Sequence, residues 1–285
     1  MNKMITNMSF LKRTLLGVVV LLTACTPNVA QAQSSQTDWE EYDLKGCVKQ
    51  LTIKTFRAHI ESGTPVKDDL WSTAVIEFSL EGKLLQVERI GESKNTYTYT
   101  KTQKITNCFS ADNNLTSRIV TTYTKWGAIK RIVYYNASGT ETGRVDYTYD
   151  AKRQLVERLH QTISDPYTRE EDIQFDAVGH EIRCERYDKE NRLREIETST
   201  YDVEGRKIMN EVSRYEGGAY AYGVGSRYTY NQEGFISMVE SAADMGEYQV
   251  THILTYVYDS HGNYVTKNNM NDRWPFVEER TIQYY

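Results

Sequence analysis

Tyr256-Val257-Tyr258-Asp259-Ser260-His261-Gly262-Asn263-Tyr264 reads as the end of one β-strand, a tight turn and the start of the next. Tyr256 and Tyr258 sit two apart, so in an extended chain they share a face. Asp259 opens the turn with a carboxylate able to accept its backbone amides. Gly262, three residues on, takes the positive φ with which a type I turn closes into a bulged hairpin. The same aromatic-Asp-x-x-Gly pattern stands at Tyr42-Asp43-Leu44-Lys45-Gly46, Phe175-Asp176-Ala177-Val178-Gly179 and Tyr201-Asp202-Val203-Glu204-Gly205. The candidate turn residues are thus Asp43, Gly46, Asp176, Gly179, Asp202, Gly205, Asp259 and Gly262.

Looser copies give eleven aromatic starting points: Tyr42, Phe78, Phe109, Tyr123, Tyr135, Tyr149, Phe175, Tyr187, Tyr201, Tyr230 and Tyr258. The fifth position is Gly except at Asn113, Asn191 and Arg153, and Asn is the other residue that tolerates the left-handed region. An apolar residue commonly follows six positions after the aromatic, as at Leu84, Leu115, Ile129, Leu155, Leu193 and Ile236, and fixes the face of the outgoing strand. Short intervals between stations hold one strand. Long ones should hide a second hairpin, with turns at Ser164-Asp165-Pro166, Glu216-Gly217-Gly218 and Asp244-Met245-Gly246. Roughly 16 to 20 antiparallel strands follow from ordinary strand and loop lengths.

No helical periodicity longer than two turns appears after residue 40. Tyrosine is abundant, at 22 residues, and Lys, Arg, Glu and Asp are interspersed along the strands. Such side chains pack an apolar body while keeping a polar tip wet, which suits a partly covered sheet. The expected fold is all-β: an extended, twisted antiparallel meander of repeated hairpins, with curling into a half-pipe as its variant.

Residues 1–24 read as an export signal, with Lys3, Lys12 and Arg13 ahead of a short apolar run from Leu15 to Leu22. Leu22-Thr23-Ala24-Cys25 resembles the bacterial lipobox, which implies acylation of Cys25. The competing reading is a soluble signal cut after Ala30-Gln31-Ala32. Either way the chain is exported, and the expected location is the cell envelope, as an outer-membrane lipoprotein. Residues 25–39 read as a flexible tether, and 40–285 as one β-sheet domain.

The net charge of −5 becomes more negative once the three signal cations are removed. That balance argues against nucleic acid as a partner and leaves the lipid anchor as the membrane contact. Cys47, Cys108 and Cys184 allow one disulfide, with Cys47 and Cys108 the nearest pair in sequence, or buried free thiols. His59, His160, His180, His252 and His261 show no zinc spacing. Neither a metal nor a cofactor is expected.

Tyr147-Thr148-Tyr149-Asp150, Tyr187-Asp188-Lys189-Glu190-Asn191-Arg192-Leu193 and Tyr256-Val257-Tyr258-Asp259 resemble the YD-repeat, or Rhs-like, proteins. The likeness spans about residues 40–285. It implies a continuous β strip, and carbohydrate or protein binding as in some members. The large members wind that strip into a shell around a toxin, but this chain is too short to enclose a second domain.

The leading expectation is therefore a noncatalytic envelope lipoprotein that binds or scaffolds a carbohydrate or protein. Its candidate ligand residues are Tyr215, Tyr220 and Tyr222, in the glycine-rich stretch 215–225, and Trp274 beside Pro275. Tyrosine in such a sheet more often packs than binds. An envelope glycosidase with paired carboxylates in a sheet cleft is one alternative, although the regular aspartates already have turn-capping work. An outer-membrane β-barrel is another. Short strands with charge on both faces count against it, because lipid asks for an apolar outer band.

Overall fold

The computed structural model describes residues 37–162, 168–244, 246–271 and 273–285. Cys25, the export signal, the alternative cleavage site and the Ser164-Asp165-Pro166 turn lie outside them. A 3-10 turn, Glu40–Tyr42, leads into 18 strands: β1 (Val48–Glu61), β2 (Thr64–Phe78), β3 (Leu84–Arg89), β4 (Ser93–Tyr99), β5 (Gln103–Ser110), β6 (Leu115–Tyr123), β7 (Ile129–Asn136), β8 (Glu141–Tyr149), β9 (Leu155–Thr162), β10 (Arg169–Phe175), β11 (Glu181–Tyr187), β12 (Leu193–Tyr201), β13 (Lys207–Glu216), β14 (Ala219–Tyr230), β15 (Ile236–Ala243), β16 (Gln249–Tyr258), β17 (Tyr264–Asn269) and β18 (Phe276–Tyr284).

Each strand pairs antiparallel with its sequence neighbours, and β18 pairs with β1, so the wall is a closed up-and-down barrel. The open meander or half-pipe expected from the sequence is corrected by that last ladder. It runs over nine residue pairs, from Val48↔Tyr284 to Arg57↔Phe276. Local turn chemistry reverses the chain but leaves the sum of twist and tilt unspecified. Closure wins because it satisfies the backbone groups that two free edges would expose. Of the forms weighed from the sequence, the closed ring supports the outer-membrane β-barrel better than the open binding strip.

Following the register around the ring separates two faces. One carries Leu51, Ile76, Val145, Arg158, Glu170, Cys184, Glu195 and Asn269, all of them buried. The concave side of a ring is the more crowded, so this is the lumen face. The other face carries Arg118, Arg131, Asp146, Arg183 and Glu185 and looks outward.

The apolar core is local. Leu44, Val48, Leu51, Ile76, Phe78 and Leu84 cluster at one end of β1–β3, with Trp39, Tyr42, Ile282 and Tyr284 packed against them. Burying each large side chain is worth roughly 1.5–3 kcal/mol, so this cluster anchors the place where the two ends of the chain meet. Elsewhere the lumen wall is tyrosine and charge.

Candidate functional site

The alternation of strands sorts every connection to one of two rims. One rim carries the turns at 79–83, 100–102, 124–128, 150–154, 176–180, 202–206, 231–235 and 259–263, together with the entering segment 37–47. The opposite rim carries the turns at 62–63, 90–92, 111–114, 137–140, 188–192, 217–218, 244–248 and 270–275.

The entry rim is built by the repeated motif. At Asp202 the Oδ1 atom accepts the amides of Glu204 (3.1 Å) and Arg206 (2.8 Å), while the amide of Gly205 donates to the Asp202 carbonyl at 3.0 Å. Asp176 and Asp259 repeat the pattern, as do Asp150 here and Asp188 on the far rim. Gly179 and Gly262 hold positive φ in the same way. Gly205 has a second reason to be glycine: at φ +79° a Cβ there would come within 2.8 Å of the His180 ring. Burial pushes the Asp259 carboxyl up, but hydrogen bonds from the Tyr284 hydroxyl and the amides of Asn263 and His261 outweigh it and hold it below its ordinary range.

One plain copy of the motif is not a hairpin. Asp43, at φ 55°, ends the 3-10 turn, and Gly46 steers the chain into β1. Among the described residues no strand precedes it, so the turn has none there to reverse. Burial pushes the Asp43 carboxyl up, against the pull of Arg280 and Lys267.

The tyrosines serve the wall. The hydroxyls of Tyr149, Tyr201, Tyr230 and Tyr256 donate to the carbonyls of Ile129, Glu181, Lys207 and Ile236, each reaching back to the start of the preceding strand. These bonds span 2.6–3.1 Å. At Tyr149, Tyr201 and Tyr230 they give the aromatic of the repeat a cross-strand job that the sequence alone does not show.

The far rim holds all four sequence-chosen ligand residues. Tyr215 stands near the end of one strand, and Tyr220 and Tyr222 near the start of the next. They lie on β13 and β14, joined by a two-residue turn in which Gly217 (φ 58°) and Gly218 (φ 85°) supply the two positive φ values of a type I′ hairpin. Neighbouring strands stop pairing at Arg214 and Val224, so the tip stands beyond the ring. Tyr215 and Tyr220 meet edge to face at 6.2 Å, and Arg214 donates to the Tyr222 hydroxyl at 2.8 Å. Trp274 is 69% exposed on the same rim, with β15, β16 and β17 between it and β14. The structure therefore places the four on one rim without gathering them into one pocket.

Two features were missed. Residues 58–72 of β1 and β2 project past the last pairs made by β18 and β3, and they expose Ile60, Val66, Leu70 and Trp71 on a free-standing ribbon. The longest interval between motif stations, Tyr42 to Phe78, was its signal. The second is a buried ionic cluster on the lumen face of β9–β13. Arg158 lies 2.5 Å from both Glu170 and Glu181, and Arg186 contacts Glu170 (3.2 Å), Glu195 and Glu197 (2.7 Å). Alternation within one strand, as in Glu195-x-Glu197, was legible. Pairing across strands was not.

Cys47, Cys108 and Cys184 are all free thiols. Among the described residues no group of His, Cys, Asp or Glu is arranged to hold a metal ion.

No family model matches the chain, and no curated protein matches its sequence. Among solved structures, a porin-like protein from Bacteroides uniformis is similar at 9% identity and a TM-score of 0.45, covering 84% of this chain and 98% of that one. A porin-like protein from Bacteroides vulgatus has 9% identity and a TM-score of 0.39, covering 81% and 97%. The Photorhabdus luminescens Tc holotoxin pore has 12% identity and a TM-score of 0.33, covering 72% of this chain and 14% of that one. At these values the likeness says nothing about what the chain binds or carries.

Proposed function

We propose that the chain is a noncatalytic, channel-type β-barrel of the cell envelope, in the outer-membrane form, whose far rim receives an envelope carbohydrate or peptide. The observation that carries this reading is closure. β18 seals against β1 over nine pairs, and a ring of 18 strands belongs to the size class that leaves an aqueous channel. A lumen face of tyrosine, asparagine and paired charge suits a polar solute. Rim aromatics such as Trp274 and Tyr220 offer flat faces to sugar rings or peptide side chains.

A second reading has its own observation. The outward face carries the Arg131–Asp146 and Arg183–Asp172 pairs, and a lipid-facing cation costs about 2–4 kcal/mol near the bilayer midplane. On this reading the same barrel stands in water as a YD-repeat-like lipoprotein. An acylated Cys25 then holds it at the membrane, on a tether entering at the rim of Asp38.

Fractionation of cells expressing the full chain and its Cys25→Ala variant separates the two. The outer-membrane reading expects both to stay in the membrane pellet after an alkaline wash, to need detergent, and to conduct ions in planar bilayers. Release of Cys25→Ala as a detergent-free soluble barrel without conductance would replace it with the lipoprotein reading.

A further inference from the structure

The ring is uneven in how its wall is held together. Among the described residues β9 and β10 share two residue pairs, Leu159↔Arg169 and Arg158↔Glu170, and one further backbone bond from the His160 amide to the Thr168 carbonyl at 2.7 Å. The next shortest ladders, β3–β4, β15–β16 and β17–β18, have four each. Beyond Glu170, β10 leaves register: Asp172 sits at φ 48°, and the β10–β11 pairing shifts between Glu171 and Gln174 and again before Phe175. Residues 155–157 of β9 and 171–175 of β10 thus run alongside one another without a ladder.

Side chains bridge what the backbone leaves. Arg158 of β9 reaches Glu170 of β10 and Glu181 of β11, both at 2.5 Å. Glu170 is held from its other oxygen by Arg186 of β11 at 3.2 Å, with the His160 ring of β9 3.5 Å away. Arg186 passes the connection on to Glu195 and Glu197 of β12, and Arg214 of β13 meets Glu195 at 3.2 Å. Cys184 of β11 lies beneath this cover, 1% exposed, with Sγ 3.7 Å from Glu170.

We propose that the barrel wall parts at the β9–β10 seam, with the Arg158–Glu170–Glu181 cluster as its latch. Local opening follows the place with fewest backbone hydrogen bonds. Ionic contacts gain less from closing than a ladder does, because each must first be stripped of water. A seam held by charges therefore opens while its neighbours stay shut. Opening lifts Glu170 from Cys184, which makes that thiol a reporter.

The experiment follows labelling of Cys184 by a maleimide under native conditions, read on the Cys184 peptide by mass spectrometry, in the full chain with Cys47 and Cys108 changed to serine. Labelling should run at least tenfold faster than global unfolding measured by tryptophan fluorescence. Glu170→Gln, which weakens the latch, should speed it about tenfold more without changing the unfolding rate comparably. An oxidised Leu159→Cys/Arg169→Cys cross-link over the seam should slow it to the global rate. Labelling of the starting chain only at the global rate would overturn the proposal whether or not Glu170→Gln folds, and so would a cross-link that leaves labelling unchanged.

Discussion

The ring closes on itself in two contrasting places. Where β18 meets β1, the strands share nine residue pairs above an apolar cluster of Val48, Leu51, Ile76 and Phe78. A clasp from the entering chain crosses it. Asp38 accepts the Leu84 amide and the Tyr99 hydroxyl, Trp39 donates to the Val48 carbonyl, and Arg280 donates to the Tyr42 carbonyl. Where β9 meets β10, two residue pairs among the described residues and a set of buried charges serve instead. The strands farthest apart in sequence are the better sealed. Joining the two ends of a long chain carries a large entropic cost, and only extensive burial and a long ladder offset it. Strands joined by a short connection start close together and tolerate a weaker seam.

The contrast can be broken from the apolar side. Phe78→Ala removes a fully buried ring against which Trp39 and Tyr42 pack, at centroid distances of 6.4 and 5.6 Å. It should cost about 3–5 kcal/mol and lower the thermal midpoint by about 10 °C, as read by circular dichroism. A loss under about 1 kcal/mol would mean that the clasp and core do not hold the ring shut.

Next in size is the charged seam, and here the way of removing it matters more than the removal. Glu170→Ala leaves Arg158 and Arg186 short of a buried partner and should cost about 3 kcal/mol in urea unfolding. Arg158→Met combined with Glu170→Leu and Glu181→Leu removes the bridging charges together and should be neutral or stabilising. If the triple variant lost more stability than Glu170→Ala, the seam would be a source of stability comparable to the apolar side.

The smallest effect compares the two rims. Tyr201→Phe on the entry rim gives up a 3.1 Å bond to the Glu181 carbonyl and should cost about 1 kcal/mol. Tyr222→Phe on the projecting hairpin should fall within about 0.5 kcal/mol. Equal losses at both would show that the far rim is as structural as the near one.

Much of the wall was legible. The aspartate stations mark hairpin turns wherever a strand comes before them, and even Arg153, the residue outside the Gly or Asn pattern, adopts φ 65° over the Trp126 ring. Glu216-Gly217-Gly218 was read correctly as a turn because a type I′ hairpin leaves few other residues able to take its dihedrals. The first station, Tyr42-Asp43, misled because a motif reports backbone preference and not what precedes it. The rim aromatics were chosen by residue type. That choice could not tell which end of a strand projects, since projection depends on where the neighbouring ladders stop.

Sequence by itself determined the reversals, the strand faces and the antiparallel neighbours, because each is a preference over a few adjacent residues. Closure, the lumen, the ionic latch and the unequal seams were decided only in three dimensions. They depend on twist summed over 18 strands and on which side chains that sum brings opposite one another, and no short stretch of chain encodes either quantity.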